Sequence, residues 1–210
     1  MRQLFILSLI LVSISVNAQN VASFFIHMPD EQIPQLEEAW RKDLVDLYQS
    51  GKDAKLENLM AGQSSIKEMT ADYLLLQTSE RSTLEIKLLP LINDTYLACV
   101  ITTVNAPIAD SRIDFFSLEW KSLSSADMLE PVTFDWFIKE DVNNNNEEFL
   151  HAVSNLDMHL YHYKLNPENL TLTAVYTTPD YLNSEDREKV TPFLKEMPKV
   201  YQWKSGRFAE

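Results

Sequence analysis

Between Leu84 and Leu123 the chain carries three strand-like runs in close succession, LEIKLLPL, LACVITT and IDFFSLEW. Only short turn signals separate them, Asn93-Asp94 and Asn105 to Asp110. Connections this short cannot hold the crossover helix that parallel neighbours require, so the block predicts an antiparallel meander. In the third run Ile113, Phe115 and Ser117 alternate with Asp114, Phe116 and Leu118. Apolar residues therefore fall on both faces, the pattern of a strand covered on both sides.

Other elements are read around this block. Thr70 to Gln77 reads as a preceding strand, with Ser79 to Ser82 as its turn. From Asp30 to Ser50, Leu36, Ala39, Trp40, Leu44, Leu47 and Tyr48 recur at helical spacing, with Pro34 early and Gly51 as the stop. Lys52 to Met69 is less decided, and Leu56, Leu59 and Met60 suggest a short helical turn closed by Gly62. Beyond Leu123, Phe134, Trp136, Phe137 and Ile138 form an apolar cluster. Asn143 to Asn146 then make a solvated loop, and their side chains can cap a short helix at Glu147 to Val153. Leu97 to Thr103 resembles Leu172 to Thr178, and Trp120-Lys121-Ser122 resembles Trp203-Lys204-Ser205. The second copy holds an insert, Ser184 to Glu196, that reads as a helix with Ser184 as its N-cap. The expected fold is α+β, mainly antiparallel sheet with packed helices. Its organisation is a signal peptide at 1–18, a first helix-plus-sheet half at 19–123 and a diverged second half at 124–210. By element order alone this is analogous to the tandem helix-on-sheet arrangement of beta-lactamase-inhibitor-type proteins.

Residues 1–18 have the form of a secretory signal, with Arg2, an apolar run from Leu4 to Val12, and Val16-Asn17-Ala18 at the cleavage position. Cleavage after Ala18 and a periplasmic or extracellular location are expected, with no lipid-anchor cysteine and no second apolar run long enough to cross a bilayer. A net charge of −13 disfavours nucleic acid and anionic lipid as partners. The lone cysteine, Cys99, sits in an apolar run and reads as core.

Chemistry is sparsely signalled. His159 and His162 would share a helical face, but their surroundings favour a strand, where that spacing sends them to opposite faces. Ser111 has no local histidine, and no glycine-flanked serine elbow occurs. With three glycines in the whole chain, phosphate-cradling loops are excluded. DVNNNN at Asp141 to Asn146 lacks the glycine and closing glutamate of a calcium loop. Asn93-Asp-Thr95 and Asn169-Leu-Thr171 match the glycosylation sequon. No catalytic residue, cofactor or metal ligand is nominated. The residues nominated for a binding surface are Asp110, Arg112 and Asp114 at the start of the third run, with Trp120 and Trp203. Each has a plain structural alternative, as a turn and ion pair or as core aromatics.

The segment Ala106-Pro-Ile-Ala-Asp-Ser-Arg-Ile-Asp-Phe-Phe-Ser-Leu-Glu-Trp120 resembles an uncharacterised secreted family of Bacteroidetes, domain of unknown function 3256. The leader without a lipobox, the helix before the strand block and the overall length agree with it. The resemblance implies an exported bacterial protein and supplies no catalytic residues. The functional expectation is a non-enzymatic binding or interaction module whose partner is a protein, peptide or glycan of the cell envelope. The alternative is a carboxylate-based hydrolase acting on a glycan or peptide.

Overall fold

A computed structural model describes residues 20–210, so the expected signal peptide at 1–18 lies outside the described residues. Seven strands form one antiparallel sheet in chain order: β1 Lys55–Glu57, β2 Gln63–Met69, β3 Tyr73–Ser79, β4 Ser82–Pro90, β5 Tyr96–Asn105, β6 Ala109–Ser117 and β7 Ser122–Leu123. A second sheet takes the order β11-β10-β9-β8, from β8 Tyr161–Leu165, β9 Thr171–Tyr176, β10 Lys199–Lys204 and β11 Arg207–Ala209. The helices are α1 Val21–Ile26, α2 Glu38–Gln49, α3 Ser125–Met128, α4 Phe134–Phe137, α5 Glu147–Val153, α6 Thr178–Tyr181 and α7 Ser184–Val190. The architecture is α+β.

Period-two alternation splits the large sheet between two cores. Leu74, Leu76, Leu84, Ile86, Leu88, Ala98, Val100 and Phe116 face one way, against α1 and α2. Tyr73, Leu89, Leu97, Cys99, Ile101 and Phe115 face the other way, against Tyr163, Leu165, Leu172, Ala174, Tyr201 and Trp203 of the small sheet. β4 is consequently buried without interruption from Leu84 to Leu89.

The small sheet meets the large one along β8, its edge strand. An edge presents unpaired N–H groups, and here side chains of the large sheet take them. Tyr161 N–H donates to Asp110 Oδ1 (3.3 Å), Tyr163 N–H to Ser111 Oγ (3.1 Å) and Leu165 N–H to Glu85 Oε2 (3.1 Å). Both sequons prove to be turns: the Asn93 and Asn169 amide oxygens accept from the N–H and hydroxyl of Thr95 and Thr171 between β4–β5 and β8–β9.

Several expectations are corrected. The helix expected from Asp30 begins only at Glu38, because Asp30–Gln32 forms a single 3-10 turn before Pro34. Its buried face also includes Arg41, whose guanidinium donates to the carbonyls of Ile26, Met28 and Leu36 and to Asp30. Lys52 to Met69 is not helical: β1 and β2 form a hairpin there, and Asn58 donates to Thr78 O and Ser64 Oγ in its interior. Asn183, not Ser184, caps α7, accepting from Asp186 N–H at 3.0 Å. The matched tryptophans occupy unlike places. Trp120 lies at φ 59° in the β6–β7 turn and packs toward α1, while Trp203 lies within β10 in the inter-sheet core.

Candidate functional site

The outward face of the small sheet is the most distinctive exposed surface among the described residues. Inward positions on β8 to β11 alternate into the core, so register alone decides what points out. His162 stands opposite Val175, Lys164 opposite Thr173 opposite Val200, and Thr171 opposite Gln202 opposite Ala209. Lys204 and Arg207 face each other across the last hairpin, whose tight turn requires the left-handed φ of Ser205 and Gly206 (50° and 86°). Val175 and Val200 remain 42% and 50% exposed. None of these outward positions is Asp or Glu.

At the Val175 end the face runs into a cavity of about 300 Å³, lined by Val175, Tyr176, Pro179, Asp180, Lys195 and Met197 among others. His162 is half-buried beside Lys164. Burial first, and the Lys164 charge second, hold its imidazole below the ordinary histidine range. The neutral form is therefore favoured near pH 7, leaving the two lysines and Arg207 as the charges of the face.

A family model described as a protein of unknown function, DUF3256, matches residues 13–208. The chain belongs to the DUF3256 family. It is similar to the solved structure of a domain of an uncharacterized protein from Porphyromonas gingivalis W83, at 27% identity and a TM-score of 0.81. That match covers 89% of this chain and 96% of the other. No curated protein matches the chain.

In this DUF3256 chain the residues nominated from sequence do not converge. Asp110 and Ser111 belong to the seam between the sheets, through β8. Arg112 and Asp114 form a surface ion pair, Nε to Oδ2 at 2.7 Å. Trp120 stacks on Phe24 with ring centroids 3.9 Å apart, and its indole N–H donates to Phe24 O. Trp203 is 4% exposed and donates to Pro90 O at 2.7 Å, so it is core rather than binding surface. Its inward position in β10, fixed by alternation with Val200 and Gln202, is the reason.

The most perturbed polar cluster of the DUF3256 chain is enclosed. Glu85 and Lys87 are 4% and 2% exposed on the β4 face beneath the small sheet. Burial pushes the Glu85 carboxyl above its usual range, while the Tyr73 hydroxyl (3.0 Å) and the Leu165 amide pull it down. Lys87 Nζ reaches Asp72 Oδ2 at 2.9 Å and donates to Pro167 O at 2.9 Å. These contacts tie the β8–β9 turn to the large sheet. A second, wider groove of about 640 Å³ runs between α5 and α7, with Phe193 and Ala152 below Glu147, Glu148 and Glu188. Among the described residues no group of His, Cys, Asp or Glu is placed to hold a metal, and His159 instead bonds Tyr176 Oη at 2.9 Å. Among the described residues no helix is long and apolar enough to cross a membrane.

Proposed function

We propose that the protein is an exported binding module that docks one macromolecular partner of the cell envelope onto the outward face of the small sheet. The observation that carries this reading is the pairing of exposed Val175 and Val200 with Lys164, Lys204 and Arg207 on one face of the sheet. Aliphatic area supplies binding energy and the charges orient the approach. The hydrolase alternative finds little support. Glu85, whose carboxyl is pushed upward by burial, is closed in between the sheets. Placing a photo-crosslinking side chain at Val200 tests the reading in envelope fractions of the native host. A discrete adduct is expected from position 200 and none from Lys42, on the exposed side of α2, and the adduct's protein chain should begin at Gln19. Equal labelling from both positions, or none, overturns the docking face, and a retained Met1 overturns export.

A further inference from the structure

Resting on that docking face, we infer that its occupant is an acidic polypeptide segment carrying apolar side chains. The molecule is charged unevenly. The chain has 31 acidic and 18 basic residues, yet the outward positions of β8 to β11 hold two lysines, an arginine and a histidine with no carboxylate. Among the described residues Lys164, Lys204 and Arg207 make no ion pair, whereas Lys189, Lys195 and Lys199 each have a carboxylate partner. Burial first, and the Lys164 charge second, lower the His162 imidazole, in keeping with a cationic face. The acidic helices α2, α5 and α7 would be repelled by an acidic partner, and the sheet face would attract it.

Two further features favour polypeptide over glycan. No outward position of the small sheet is Phe, Tyr or Trp, so a sugar ring lacks the large stacking platform it favours there. Val175 and Val200, with the apolar side of the neighbouring cavity, suit aliphatic side chains instead.

The purified protein is titrated with a random copolymer of glutamate and alanine, with polygalacturonate of matched charge, and with itself by dilution. Expected are amide shifts centred on Lys164, Val175 and Val200 for the copolymer. Its Kd should weaken roughly tenfold in a Lys164→Glu/Lys204→Glu variant, as reversal of two surface charges allows. A Val200→Ser variant, which keeps every charge, should also weaken it. Polygalacturonate binding as tightly as the copolymer, shifts centred on other elements, or concentration-dependent self-association through this face would each overturn the assignment. If the Val200 adduct forms in envelope fractions but the copolymer does not bind, the docking face stands and its acidic occupant is refuted. If neither occurs, both readings fall.

Discussion

Glu85 shows how one residue can record the cost of joining two sheets. Its folded-state pKa is raised, chiefly by burial. The folded protein therefore binds this proton more tightly than the unfolded chain, whose glutamates titrate at about 4.3. The resulting stability is fully present below that value and is lost as pH rises from it through the folded pKa. Glu85→Gln keeps an oxygen for the Tyr73 hydroxyl and the Leu165 amide and has no proton to lose. Unfolding free energies measured in urea across pH 3–8 should show the natural protein falling relative to the variant as pH rises. Curves that stay parallel would mean that water reaches the carboxylate.

At the scale of elements, the β6–β7 turn acts as a clamp on α1. Trp120 adopts φ 59° although non-glycine residues avoid that region, and its ring is held between Phe24 and Phe116, the latter centroid 5.1 Å away. Trp120→Ala should lose about 3 kcal/mol of stability. Trp120→Gly loses the same contacts but relieves the left-handed backbone, so it should be the more stable of the two by about 1 kcal/mol. An alanine variant as stable as the glycine one would show that the turn relaxes. Elements like β3 to β6 are readable because apolar-rich, strand-length runs bounded by Asn and Ser turns have few other solutions. The β1–β2 hairpin is not, because Leu56, Leu59 and Met60 imitate a helical turn, while QSSIKEM buries Ser64 through hydrogen bonds to Asn58 and Thr78 that composition does not announce. The outward face of the small sheet was hidden for another reason. It depends on the register of β9 against β10, and residues 177–198 separate those strands. Trp120 and Trp203 are aromatics whose turn and strand positions send both inward.

Across the whole molecule, the large sheet is shared property: each face completes a different core, and neither core exists without it. The halves divided at Leu123 are therefore expected to unfold together. Cys99 offers a test, since it is the chain's single cysteine and lies fully buried on β5 beneath the small sheet. Burial also pushes its thiol well above the usual range, so reaction with Ellman's reagent requires the small sheet to lift away. In a joint transition, thiol labelling and loss of circular dichroism share one urea midpoint. The Glu85, Ser111 and Asp110 bonds to β8 argue for that outcome, because separating the sheets exposes a carboxyl, a lysine and an aromatic layer at once. Labelling that precedes the loss of helix and strand signal would instead mean that the small sheet opens on its own, a sub-global unit hinged at residues 124–160. The docking face would then sit on the part of the molecule able to move.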